Sequence, residues 1–327
     1  MAIRILHRAL QRTLLKAKMI ADCAVEPEVM ARWEHFHSLH AEFGVGQGKL
    51  LCEFPGSWRR MVLDHAELLE QRGVNSPRQA ALLVELFNPH NNNSFLRALV
   101  PSGRKYPTGS GWCEAARSIQ PEFDMVVHSS EPQSSKELKA GEFVKTTDPF
   151  ATRRQMEVPR KADDLINSGW PCFHRAKEIY IVDPYFNPAL QQFGLVLGKL
   201  LARIERIGGK PSRIEVHTGL PGVYDAALQR RHWNRWAESH LPSNWTLKVV
   251  HWEKLESGSK MHARYILTNF GGLDYNWGTD EDTHDKTQVS LLEDPFWLEL
   301  YQRFAWSTES MPQVFRDFPD RMFEITG

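Results

Sequence analysis

Several familiar features are missing from this 327-residue chain, and each absence removes a class of function. There is no excess of either charge, with 40 Lys and Arg against 40 Asp and Glu. Such a chain has no overall field to draw it onto nucleic acid or an acidic membrane, so any contact with a polyanion is local. Cysteine is scarce: Cys23, Cys52, Cys113 and Cys172 lie far apart, with no C-x-x-C spacing. That excludes a structural zinc motif and a disulfide framework, and a reducing cytoplasm is the compartment that fits. No long apolar run is present. The basic, partly apolar Met1 to Arg8 has neither an apolar core nor a small-residue cleavage site, so neither a signal peptide nor a membrane span is expected. Internal repeats and long low-complexity tracts are also missing.

What is present is enough chain for about two domains of ~150 residues each. A Ser-, Pro- and charge-rich stretch over residues 129–148 reads as a linker or excursion, which puts the boundary near 150. Residues 1–150 are expected to form a mainly helical domain. Ile5, Leu6, Leu14 and Leu15, then Val29, Met30, Trp33 and Phe36, fall at helical spacing and predict two helices in the first ~45 residues. Asn75-Ser76-Pro77 caps a further helix running to Leu86. His35, His37 and His40 do not converge on one helix face, so no metal site is expected there. The glycine-rich loop over residues 101–111 carries Arg104 and Lys105 but lacks G-x4-G-K-[ST], which leaves an ordinary loop as the plainer reading beside a phosphate cradle.

Residues 151–327 alternate differently. A helix is predicted over 158–170, a buried strand over 178–186 and a helix over 188–207. A strand over 212–218, a helix over 226–240 and strands over 246–252 and 287–292 follow, with a closing helix over 295–306. Helices on a mostly parallel sheet are the expected architecture. In such sheets ligands gather at the carboxyl ends of the strands, where Asp183, His217 and His251 fall. Arg230, Arg231, His232, Trp233, Arg235 and Trp236 interleave charge and aromatics, as nucleic-acid surfaces do, although helical tryptophans are usually core. The acidic run over 280–285 lacks the EF-hand pattern and reads as a solvated loop.

The stretch from Lys260 to Leu273, KMHARYILTNFGGL, is where the sequence points to chemistry. Residues 261–268 read as a strand ending at the Gly271-Gly272 turn, and strand alternation places His262, Arg264, Ile266 and Thr268 on one face. An imidazole beside a guanidinium suits a phosphate, the first as nucleophile or proton carrier and the second as a fixed fork. The same pair also describes an ordinary solvated sheet face. His262, Arg264 and Asn269 fall at the positions of the H-x-K-x4-D signature of the phospholipase D superfamily, with Arg for Lys and Asn for Asp. The stretch, with Gly271-Gly272-Leu273-Asp274-Tyr275 after it, resembles divergent phospholipase D-like domains, among them the C-terminal domains of MIT-domain proteins and bacterial homologues.

That resemblance covers about residues 155–310. It implies an α/β phospholipase D-like mixed sheet with flanking helices, and a phosphodiester site in which His262, Arg264 and Asn269 hold the catalytic positions. Asp183, Tyr185, His217, Lys260, Arg231 and Arg235 are the accompanying phosphate-binding candidates. No metal or cofactor is called for. The superfamily's enzymes use two histidine motifs and this chain has one, which a homodimer can complete. Asn269 cannot supply the charge that orients a protonated histidine, so the leading expectation is a phosphodiester-binding module acting on nucleic acid in a bacterial DNA-processing or anti-phage defence assembly. A metal-independent phosphodiesterase or nuclease is the runner-up. A protein-interaction scaffold within a multi-component system is the third reading.

Overall fold

A computed structural model describes residues 18–88, 90, 94–143, 152–255, 257, 258, 260–282 and 285–327. The helix expected around Ile5 to Leu15, part of the 129–148 stretch, and the expected boundary at 150 lie outside these residues. The chain divides into two compact units, Met1–Arg154 and Gln155–Gly327. Both are mixed α/β.

The N-terminal unit departs from the mainly helical expectation. Its helices flank a parallel sheet of β1 (Ala21–Val25), β2 (Lys49–Glu53), β3 (Leu99–Pro101), β4 (Met125–His128) and β5 (Glu137–Lys139), in the order β3-β2-β1-β4-β5. The strands are only three to five residues long and buried on both faces, so they carry no period-two signal. Ala21, Cys23 and Val25 instead join Val29, Met30, Phe36, Trp58 and Phe87 in one apolar core. The expected cap at Ser76 is present as a full capping box: its hydroxyl accepts from Gln79 N–H, and the Gln79 side chain accepts from Ser76 N–H. Arg104, a phosphate candidate in the glycine-rich loop, is held internally: Nη2 pairs with Asp22 at 3.0 Å and the guanidinium covers the Phe123 ring.

The C-terminal unit is built on eight strands: β6 (Gln155–Pro159), β7 (Glu178–Val182), β8 (Arg213–Gly219), β9 (Thr246–Trp252), β10 (Tyr265–Thr268), β11 (Gly271–Tyr275), β12 (Lys286–Leu291) and β13 (Met322–Thr326). Their order is β13-β9-β8-β7-β10-β11-β12-β6. The sheet is mixed rather than mostly parallel: β7, β8 and β9 run parallel, while the other five pairings are antiparallel. Residues 158 and 159, expected to open a helix, belong instead to the edge strand β6, and the helix follows at Ala162–Phe173. The helices Gln191–Arg206 and Ala226–His240 stand close to their expected limits because their apolar periodicity is strong. Trp297, Leu300 and Phe304 of the helix Asp294–Phe304 pack with Tyr180, Val182 and Leu267 on one face of the sheet.

Candidate functional site

The strand expected over 261–268 is shorter than its sequence pattern. β10 begins at Tyr265, where it pairs with Val182 of β7 in antiparallel register. His262 and Arg264 therefore lie on the segment leading into β10, at the carboxyl end of β7, and Asp183 follows Val182 on the neighbouring chain. Extending the register sets Arg264 opposite Asp183, and Arg264 Nε lies 3.9 Å from Asp183 Oδ1. Two other anchors fix the guanidinium. Nη1 donates to the Asn276 carbonyl at 2.7 Å, and the group sits over the Tyr185 ring, 4.8 Å from its centroid. Nη2 has no acceptor among the described residues.

Asp183 is fully buried and serves as the fastening point of the site. Its Oδ1 accepts from Tyr185 N–H at 3.0 Å, and its Oδ2 accepts from the N–H and hydroxyl of Thr279 at 3.3 and 3.0 Å. Burial pushes its carboxyl above the ordinary aspartate range, against those hydrogen bonds and the charge of Arg264. Asp274, part-buried on β11, is raised by burial in the same way, with Arg264 opposing. One carboxylate thus ties the loop after β7 to the turn after β11. That turn needs Gly278: its φ is +118°, and a Cβ there would lie 2.5 Å from Asp280 Oδ1. The carboxyl end of β8 meets the same loop, Gly219 N–H donating to the Pro184 carbonyl.

His262 and Lys260 are exposed on the segment before Arg264. His262 makes no hydrogen bond among the described residues, so no described carboxylate orients it. Asn269, placed with it by the sequence spacing, lies past the far end of β10, where its Oδ1 accepts from the backbone N–H of Lys177 and Glu178 at 2.8 and 3.3 Å. It secures the start of β7 and takes no part in this site.

His217 is also corrected. It shares a face with Tyr180 and Val182, is fully buried, and packs on Phe304, on the side of the sheet opposite Asp183. Trp252 Nε1 donates to His217 Nδ1 at 3.0 Å, so the ring proton sits on Nε2 and goes to Glu215 at 3.1 Å. Burial holds the imidazole below its ordinary pKa, against the pull of Glu215. His251, on the face of Thr218, is buried as well, and burial lowers its pKa to about 4. Neither histidine reaches a ligand from these positions.

On the helix Ala226–His240, Arg231 and Arg235 are exposed, whereas Trp233 and Trp236 are buried: Trp233 stacks on Phe186 at 5.4 Å, and Trp236 donates to the Gly194 carbonyl. The tryptophans are core and the arginines remain on the surface. Tyr185, expected to touch phosphate, supports the guanidinium with its ring. Sequence reasoning missed Thr279, Asn276 and Trp277. Their signal was the glycine that follows β11, which turns the chain back at the same end of the sheet.

Among the described residues, no group of three His, Cys, Asp or Glu side chains is placed to hold a metal ion. The acidic loop is neutralised from within: Arg160 pairs with Asp280 at 2.6 Å and lies 3.7 and 3.6 Å from Asp282 and Asp285. No described helix is long and apolar enough to cross a membrane. No protein-family model matches the chain, and no curated protein does.

Proposed function

We propose that the C-terminal unit is a phospholipase D-like phosphodiester-binding module for nucleic acid, and that Arg264 is its phosphate contact. The observation that supports this is the state of that guanidinium: fixed by the Asn276 carbonyl and the Tyr185 ring, yet left with Nη2 unbonded among the described residues, and flanked by exposed Lys260 and His262. A fixed fork with a free donor meets a phosphate oxygen with little ordering cost. Arg231 and Arg235 are exposed on the helix that Trp233 fastens to Phe186, and no contact among the described residues joins them to Arg264. As the resemblance implies, such a module works within a bacterial DNA-processing or defence assembly.

Catalysis is the weaker reading because His262 has no orienting carboxylate among the described residues and Asn269 is engaged elsewhere. The test is incubation of the purified chain with single- and double-stranded DNA and RNA in EDTA, scoring retention and cleavage together. The expected result is retention without cleavage. Arg264→Ala should weaken retention more than tenfold, and His262→Ala less than tenfold. Cleavage by the wild type in EDTA, lost in His262→Ala, overturns the binding reading in favour of a metal-independent phosphodiesterase.

A further inference from the structure

We propose that the nucleic acid held at Arg264 is single-stranded, and that its bases stack on Tyr185 and Trp277. This rests on the phosphodiester reading above and names the strand form it acts on. Tyr185 and Trp277 are 58% and 63% exposed. Phe296 meets Tyr265 edge-on, Arg321 covers Phe318 and Arg264 lies over one face of Tyr185, whereas Trp277 has no ring or cation partner among the described residues. A tryptophan left so open forgoes the burial that normally holds such a ring, which points to a partner that is not part of the chain.

Both rings are presented by anchored backbone. Tyr185 N–H is bound by Asp183, and its ring carries the Arg264 guanidinium. Trp277 N–H donates to Thr287 Oγ1, the preceding Asn276 carbonyl accepts from Arg264, and Thr279, two residues on, is bound by Asp183. The two aromatics are therefore fixed through the same arginine and the same aspartate, so stacking orders little that is not already ordered.

Charge makes the choice of strand form. With no net charge on the chain and Arg264, Lys260 and His262 as the basic groups of this segment among the described residues, about two phosphates are neutralised, too few for a duplex held by its backbone alone. Base faces must supply the remaining affinity, and only an unpaired strand exposes them.

The test measures fluorescence anisotropy with four labelled probes: a thymidine 15-mer, a uridine 15-mer, an abasic 15-mer with the same phosphates, and a 15-base-pair duplex. The thymidine or uridine strand should bind tightest, with a log–log salt slope of about −1.4. Trp277→Ala should weaken it by about 5- to 150-fold while leaving the abasic affinity unchanged. Tyr185→Ala, which also removes the ring under the Arg264 guanidinium, should weaken the base-bearing and the abasic strands alike, and Tyr185→Phe should restore both. Arg264→Ala should weaken every probe. If the duplex or the abasic strand binds as tightly as the base-bearing strand, or Trp277→Ala changes nothing, the stacking proposal fails while the phosphate site stands. If no probe binds and Arg264→Ala has no effect, both readings fail, and the exposed rings belong to a protein partner.

Discussion

The two ends of the parallel strands β7, β8 and β9 each bury one carboxylate against cations, and they do so in opposite proportion. Toward the amino ends, Glu215 collects Arg213 at 2.6 Å, Lys248 at 3.5 Å and the Nε2–H of His217 at 3.1 Å. Burial alone would raise this carboxyl; the His217 hydrogen bond and the charges of Lys248 and Arg213 hold it below the ordinary glutamate value. Arg213 also donates to the Trp306 carbonyl, and Lys248 lies on the Trp306 ring, beside a cavity of about 400 Å³. At the carboxyl end Asp183 has one cation, Arg264, and shares it with a carbonyl and an aromatic face. The first arrangement turns its donors inward and holds strands together. The second leaves a donor outward, and that difference separates a structural charge cluster from a binding site more sharply than the residue types do.

The largest way to break this comparison is at Glu215. Glu215→Ala leaves Arg213 and Lys248 without their buried counter-charge and is expected to cost about 3–5 kcal/mol in urea denaturation. Asp183→Asn keeps one acceptor and should cost about 1–2 kcal/mol, yet weaken oligonucleotide binding, because the Tyr185 and Thr279 anchors loosen. Equal costs, or lost binding in both variants at temperatures where both remain folded, would erase the contrast.

The buried histidines sharpen it further. His217 has partners on both ring nitrogens, whereas His251 Nδ1 has none among the described residues and its ring is packed against Tyr224 and Phe323. In the unfolded chain His251 takes a proton near pH 6.5, while burial delays this to about pH 4 in the fold. The unfolded state then binds more protons between those values, so stability falls as pH drops from about 6.5 to 4, by roughly 3 kcal/mol from this group. Denaturation across that window should show the slope, and His251→Phe should flatten it. An unchanged slope in the variant removes His251 as its source.

The smallest effect belongs to Asn269. Its replacement by Ala should cost about 1 kcal/mol through the lost bonds to Lys177 and Glu178, with oligonucleotide affinity unchanged. Asn269→Asp should leave affinity unchanged and confer no cleavage; nuclease activity in that variant would place the residue back in the site.

Much of the C-terminal architecture was legible because its longer elements repeat their periods, as the strand over 246–252 and the helix over 226–240 do. The place of Asp183 at a carboxyl strand end followed from the strand-end rule. Asn269 was misplaced by motif spacing, although geometry contradicts it: five residues of extended chain from Arg264 span about 16 Å, the length of the strand between them. His217 was misplaced by counting strand ends without counting faces, since it alternates with Thr218 and shares its face with Glu215. Arg264's Asn276 anchor was not legible, because Asn276 reaches it, and Thr279 reaches Asp183, through the β10–β11 register rather than through sequence proximity. The N-terminal sheet was hidden by strands too short and too uniformly buried to show a period, Ala21 to Val25 above all.

Hydrogen exchange on the full chain, with and without a thymidine 15-mer, tests most directly which end of the sheet is the site. Protection is expected over residues 183–186, 262–265 and 276–279, with exchange at 212–215, 246–248 and 306–311 unchanged. Protection confined to the Arg213 and Lys248 cavity, with the Arg264 edge unaffected, would contradict the assignment.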